Sequence, residues 1–409
     1  MSWSRHVRSR PRAVVAGLAA LAVPLALAGC ESGGGSAAEP DSAGSASAAS
    51  SSAAPEDPVA VAVNVRKGAD KVAVDTRVRV TAQDGELTKV TVTSPEGKVP
   101  GKVSADGTSW TASALLEPGT TYLVRSHAAG EQGGAVDDRT RFTTQDLSLS
   151  EQTFASIAPL DGETVGVGMP VVVNFDVPVT DKKSFEKHMT VTSTPAQAGS
   201  WHWMSDTEAH WRPKNYWKAG TEVSVDVAVN SIPAGGGIYG QKDRSIDFTV
   251  GDSHVTKVDV ANHRMKVFEN GKLIRTFSVT TGKDGFTTRS GVKVIMEKYE
   301  SKRMNSETVG IGEGDPEYYD IDNVEWAMRV TNSGEFIHAA PWSSSSQGLA
   351  NVSHGCTGMS TADAKWLYDF SRRGDVVEYT GSDRQMTLDN GFGDWNLGYA
   401  QYAQGSALS

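Results

Sequence analysis

Residues 337–358 read IHAAPWSSSSQGLANVSHGCTG and hold His338, His354 and Cys356, one of only two cysteines in 409 residues. The segment before it, GEFIHAAPW, has the apolar run of a strand, and the segment after it, STADAKWLYDFSRRG, has the period and punctuation of a helix. Ser360 is placed to cap that helix, with Asp363 three residues on, Trp366 and Phe370 on one face, and Gly374 after the basic last turn. Cys356 therefore falls between a strand and a helix start. Outward-pointing backbone N–H groups and the positive end of the helix dipole are expected there, and both favour a thiolate. Gly355 leaves room beside the sulfur for a substrate carbonyl and its oxyanion. His338, on the adjacent strand, is the expected base. That is the pattern of an activated cysteine nucleophile performing acyl transfer. His354 either orients the loop or touches substrate.

Working outward, residues 251–380 read as mixed β with this one clear helix. HVTKVDVANHRMKVFENGKLIRTFSVTTG reads as a hairpin turning at ENGK, GVKVIMEKYE as a further strand, and GDVVEYTG as another. Upstream, two regions read as all-β. Residues 58–147 (VRVTAQDG, KVTVTS, TTYLVRS) and 148–250 (VVVNFDVPV, HMTVTS, GSWHWMS, TEVSVDVAV) alternate apolar and polar residues between turn signals. LLEPGTTYLV in the first region matches YWKAGTEVSV in the second, and RTRFTT matches RSIDFTV. The expected fold is mostly β: two tandem immunoglobulin-like sandwiches followed by a mixed, β-rich domain with one main helix. Trp201, Trp203, Trp211 and Trp217 belong to the core of the second sandwich on this reading, with a sugar-stacking platform as the alternative. His202 and His210 alternate with the tryptophans and are expected to face solvent. The segment 381–409 (FGDWNLGYAQYAQ) is expected to pack back onto the preceding domains.

The ends and the charge bound the function further. Arg5, Arg8, Arg10 and Arg12 precede the apolar run AVVAGLAALAVPLALA and then LAGC, the order of a secretory signal. LAGC resembles a bacterial lipobox, which implies cleavage before Cys30 and a lipid on its thiol. Cys356 is then the one remaining thiol, so no intramolecular disulfide forms, and a lone thiol in an oxidising compartment implies chemistry. Residues 31–55, almost wholly Ser, Ala and Gly, read as a flexible tether of roughly 25–30 Å. The net charge of −10 becomes −14 once the four leader arginines are removed, which argues against nucleic acid as a partner. No histidine or cysteine spacing suggests a metal site, and no cofactor is expected.

At His338 and Ser353-His354-Gly355-Cys356 the chain resembles the L,D-transpeptidases with a YkuD-type catalytic domain, whose signature is a His, a spacer, and then Ser/Thr-His-Gly-Cys, a hydrophobic residue and Asn. APLDGETVGVGMPVVVNFDVPVT, AGGGIYG, FIHAAPWS and GFGDWN extend the resemblance to the two-sandwich, actinobacterial-type members. The resemblance implies that Cys356 attacks the carbonyl of the third residue of a peptidoglycan stem peptide, releasing D-alanine. A second stem's side-chain amine then takes the thioester in a 3→3 cross-link. It implies His338 as base, the backbone carbonyl of Ala339 as its partner, and carbapenems as inactivators. It implies a lid over 304–319, with Tyr319 or Tyr318 near the oxyanion, and Met304 and Trp342 walling the cleft. Ser333, Gly334, Ser353 and Gly358 lie where substrate contacts fall. The signature Asn is Gly358 here, with Thr357 as its neighbour. An L,D-carboxypeptidase of the same fold, using water as acceptor, and a non-catalytic wall-binding module are the alternatives. A sortase is disfavoured because its Thr-Leu-x-Thr-Cys strand is absent.

Overall fold

The structure is a computed structural model that describes residues 58–130 and 133–409; the leader, Cys30 and the tether lie outside the described residues. Period-two alternation in the first region produces two four-stranded sheets. One runs Ala60–Val63, Arg79–Gln83, Ser109–Ala112, Gly101–Val103 in spatial order, and the other Gly97–Val99, Gly85–Ser94, Thr121–Gly130, Gly134–Thr143. Their inward residues, among them Val80, Trp110, Tyr122, Val124 and Phe142, form a single core. Inward and outward positions alternate because successive strand residues point to opposite faces.

The second region repeats the plan with Ala155–Ala158, Val171–Phe175, Glu208–Pro213, Gly199–Trp203 against Thr164–Val165, Arg244–Val250, Glu222–Val227, Met189–Thr194. The internal repeat has a structural counterpart. Thr121–Gly130 and Glu222–Val227 each pair antiparallel with the strand that closes their sandwich. Trp201, Trp203, Trp211 and Trp217 are all buried in this core. Each ring contributes about 4–6 kcal/mol as an upper bound against the extended chain. The core reading of the tryptophans holds, and the platform reading falls.

His210 does not face solvent. It is 1% exposed, with Nδ1 3.0 Å from Asp394 Oδ1 and Nε2 2.8 Å from Glu208 Oε1. His202 is half-buried, its Nδ1 2.7 Å from the Tyr402 carbonyl. Alternation placed both correctly on the outer face of their strands, but the C-terminal segment covers that face. Arg212 joins them there, donating to the Leu397 carbonyl at 2.9 Å beneath the rings of Trp395 and Tyr402.

The third region forms two sheets. A five-stranded one runs Lys272–Ser278, Arg264–Glu269, His254–Asp259, Val376–Thr380, Gly291–Val294; a four-stranded one runs Glu297–Asn305, Asp320–Arg329, Phe336–Ala339, Thr357–Met359. The single hairpin expected over 254–282 is a three-stranded meander, with a second turn at His263 (φ 54°) besides the one at Asn270 and Gly271. GVKVIMEKYE is two strands in different sheets, broken at Ile295 and Met296. The helix spans Thr361–Phe370; Ser360 accepts from the Asp363 N–H, and Trp366 stacks on Phe370 at 5.0 Å. Its Leu367 and Ala364 join Met265, Phe277, Met328, Ile337 and Met359 in one core. That packing fixes the four-stranded sheet whose last two strands carry the functional stretch.

Candidate active site

Phe336–Ala339 pairs in parallel with Thr357–Met359, and His338 lies opposite Gly358. The His338 imidazole and the loop before Thr357 are therefore brought to one edge by strand pairing. His338 Nδ1 is 2.7 Å from the Ala339 carbonyl. A carbonyl only accepts, so Nδ1 carries the proton and the Nε2 lone pair is free to act as a base. Burial pushes the imidazole pKa below its usual value, and the carbonyl opposes this incompletely. At neutral pH the ring is thus neutral and competent to take a proton.

Cys356 is held by its loop. Ser353 Oγ donates to the Cys356 carbonyl at 2.6 Å and accepts from the Gly355 N–H at 3.1 Å. Gly355 sits at φ +118°, and a Cβ there would meet nothing beyond its chain neighbours closer than 3.6 Å. The glycine is needed for its backbone conformation. Burial raises the Cys356 thiol to about 11, against a Phe336 N–H that favours the thiolate. The helix dipole does not lower it. Thr357–Met359 stands between the cysteine and the Ser360 cap, and three residues of strand are roughly 10 Å, beyond the first-turn reach of the dipole. At neutral pH Cys356 is therefore a thiol, and ionising it calls for a base.

A cavity of about 250 Å³ opens over this pair, lined by Cys356, His338, Ser353, His354, Gly358, Met304, Tyr319 and Trp342 together with Thr280, Ala340, Ser343 and Val352. A second, of about 280 Å³, also reaches Cys356 and shares Met304 and Tyr319, with Gly334 and Arg329 in its wall. Tyr319 lines both cavities; burial and then Cys356 raise its pKa to about 12, so it stays a donor. Tyr318 lines neither cavity. Ser333 also lies outside both, its Oγ accepting from Asn390 at 3.0 Å. Trp342 is 57% exposed and stacks near His338 with ring centres 5.9 Å apart. Thr357, at the family's apolar position, is buried with Oγ1 2.8 Å from the Tyr379 hydroxyl.

Sequence reading missed Glu317, Lys283 and the buried ions behind the nucleophile. His354 Nε2 lies 2.7 Å from Glu317 Oε2, and Lys283 Nζ reaches the same oxygen at 2.6 Å. The 306–319 loop is thereby tied to the loop that carries Cys356, and His354 packs against Phe286 and Tyr319. Glu317 stands in a segment already read as a lid, but its partners are far off in the chain. Lys293 inside the apolar strand GVKV was the one visible sign of a buried charge.

Residues 69–233 match a bacterial Ig domain family, across both sandwiches, and residues 253–378 match the L,D-transpeptidase catalytic domain, YkuD. L,D-transpeptidase 2 of Mycobacterium tuberculosis is 35% identical over 85% of this chain and 85% of its own. The chain belongs to the L,D-transpeptidases. L,D-transpeptidase 5 of the same organism is 36% identical, over 81% of this chain and 73% of its own. The solved structure of the L,D-transpeptidase LdtMt1 in complex with imipenem aligns with a TM-score of 0.50 and 33% identity, over 56% of this chain and 99% of that one. This L,D-transpeptidase is an acyltransferase with a cysteine nucleophile in its YkuD domain.

Proposed function

We propose that the chain forms 3→3 cross-links between peptidoglycan stem peptides, with Cys356 as nucleophile and His338 as base. The observation that carries the reading is the His338 Nδ1–Ala339 carbonyl bond, which leaves Nε2 as an acceptor in the cavity that Cys356 lines. His338 takes the thiol proton as Sγ bonds to the carbonyl carbon of the donor's third residue. The tetrahedral intermediate collapses with cleavage of the C–N bond, and the imidazolium returns its proton to the departing D-alanine amine. The acceptor's side-chain amine then attacks the thioester, gives its proton to His338, and releases the sulfur, which is reprotonated. Tyr319 serves as a donor near the oxyanion; Met304 and Trp342 wall the cleft.

Carbapenems are proposed to acylate the same sulfur, since LdtMt1, a relative, has been solved with imipenem. Lipid on Cys30 is the proposed anchor, holding the enzyme on the outer side of the cell membrane facing the wall. Among the described residues no helix is long and apolar enough to cross a membrane. Muropeptide analysis after overexpression tests the reaction. New 3→3 dimers support it, whereas new tripeptides without dimers identify a carboxypeptidase, and no change identifies a binding module. Mass spectrometry of the intact mature protein tests the nucleophile. One carbapenem adduct is expected, and an equal yield on Cys356→Ala overturns the assignment.

A further inference from the structure

Behind the nucleophile lies a charge cluster that the reaction as described does not use. Lys293 on the Gly291–Val294 strand has a side chain 0% exposed, with Nζ 2.5 Å from Glu335 Oε2. Arg289 donates to the other oxygen of Glu335 from Nη1 at 2.9 Å and from its backbone N–H at 3.1 Å. Burying a carboxylate and an ammonium costs several kcal/mol each unless they are paired and otherwise satisfied, so such a cluster directly beneath a functional loop calls for a reason.

The reason lies in what Glu335 is attached to. Its two chain neighbours are the groups that touch the sulfur: the Gly334 carbonyl, 3.6 Å from Sγ, and the Phe336 N–H, which donates to it. Lys293 also lies under the Tyr379 ring, 3.7 Å from its centre, and the Tyr379 hydroxyl meets Thr357, the residue after Cys356. On the other flank, Thr288 Oγ1 donates to the Gly355 carbonyl at 2.8 Å. The cluster thus grips the chain on both sides of the nucleophile and carries two cations against one carboxylate.

We propose that Lys293 and Glu335 are positioning residues for the nucleophile: the pair fixes the 334–336 backbone against Sγ and sets the local potential in which the thiol ionises. At neutral pH Lys293 favours the thiolate and Glu335 opposes it. The inference rests on Cys356 being the nucleophile, but its test does not need transfer to occur. The other ionisable groups around the sulfur are His338 on the neighbouring strand, Arg329 on the strand beyond, Tyr319 of the lid, Tyr379 and His354, and all stay unchanged in the variants below.

The pH midpoint of Cys356 alkylation by iodoacetamide reads thiol ionisation directly. Burial lowers the Lys293 pKa to about 8, so its charge acts on the thiol at neutral pH and is gone near the thiol's own midpoint of about 11. Lys293→Met is therefore expected to slow alkylation about tenfold at pH 7, the equivalent of one pKa unit, with little change in the midpoint. Glu335→Gln, which keeps an oxygen for Lys293 but removes the charge, is expected to lower the midpoint. A purely structural role leaves the pH 7 rate of Lys293→Met or the midpoint of Glu335→Gln unchanged, and either result overturns the proposal. Should those two variants fail to fold by circular dichroism, Arg289→Gln removes a cation from the partly exposed rim and leaves the Lys293–Glu335 contact in place. Its midpoint must then rise, and an unchanged one overturns the proposal. A wild-type enzyme that alkylates normally yet forms no carbapenem adduct would count against the proposed function and leave this inference standing.

Discussion

At the scale of single residues, Gly358 is where family pattern and structure pull apart. An amide in its place offers a hydrogen bond to substrate or loop that glycine lacks, worth roughly 0.5–1.5 kcal/mol. The backbone there is extended within Thr357–Met359, with no left-handed φ to hinder asparagine. Space is the obstacle. A Cβ at 358 would sit 2.9 Å from Ala340 Cβ and 3.1 Å from Thr280 Cγ2, and both neighbours bear on the strand pairing itself, since Thr280 and Gly358 exchange backbone hydrogen bonds at 3.0 and 2.9 Å. Gly358→Asn is therefore expected to lower carbapenem acylation, because overpacking of this kind costs about 1–3 kcal/mol. The double variant Ala340→Gly/Gly358→Asn should recover part of the loss. A gain in rate for the single variant would show that the strand gives way without cost.

The histidines separate at the same scale. His338 is buried with a depressed pKa, so its base form is present throughout the neutral range. Acylation should be flat near neutrality and fall in acid only below the usual imidazole range. His338→Ala should cost about 10²–10⁴-fold, the usual scale of lost proton transfer. His354, committed to Glu317, should cost far less; a larger loss at His354 than at His338 would reverse the roles.

At the scale of elements, the loop expected to close over the cleft is held by charge at its far end. Ser306–Val309 and the loop to Tyr319 hang between the Glu297–Asn305 and Asp320–Arg329 strands. Glu317 fastens this loop to His354 and Lys283, which hold its carboxyl below the usual range. Glu317→Ala should speed hydrogen exchange over 306–319 and weaken donor binding by about 2–5-fold, the scale of a solvated ion pair. Unchanged exchange would mean that Tyr319 and Met304 hold the lid without it. Elements with local signatures were legible from the sequence. The Ser360 cap, the Trp366–Phe370 face and the Asn270–Gly271 turn each depend on residues a few positions apart. The break at Ile295 and Met296 was not legible, because an apolar run has the same period on either side of a corner between sheets. The Lys293–Glu335 contact joins residues 42 apart, and no local pattern encodes it. The helix-dipole account of Cys356 failed for a related reason: three residues that read as a loop pair with His338's strand and push the helix away.

At the scale of the whole molecule, the C-terminal segment fastens the second sandwich to the catalytic domain. Gly166 and Gly168 donate backbone hydrogen bonds to Arg373 and Gly374, Trp395 Nε1 donates to the Gly168 carbonyl at 2.8 Å, and Glu186 accepts from the Ala407 N–H at 2.7 Å. Asp394 is the centre of this seam, meeting His210 and accepting from the Tyr402 hydroxyl at 2.9 Å. Burial alone would make His210 less basic, but Asp394 and Glu208 more than offset it and raise its pKa to about 9. Burial likewise opposes ionisation of Asp394, and His210 and Tyr402 still hold it below its ordinary 3.8. A histidine whose folded pKa exceeds its unfolded value of 6.5 stabilises fully below that value and loses its contribution as pH rises through about 9. The depressed carboxylate contributes above about 3.8 and is lost as pH falls further. The seam should therefore be firmest between roughly pH 4 and 6.5 and weaken toward pH 9. Asp394→Ala leaves a buried imidazolium short of a partner, a change that typically costs about 3–5 kcal/mol. It should lower the melting temperature most at pH 6 and least at pH 10, while the alkylation midpoint of Cys356 stays fixed. A loss of equal size at both pH values would mean that packing of Tyr402 and Trp395, and not the ion pair, holds the seam.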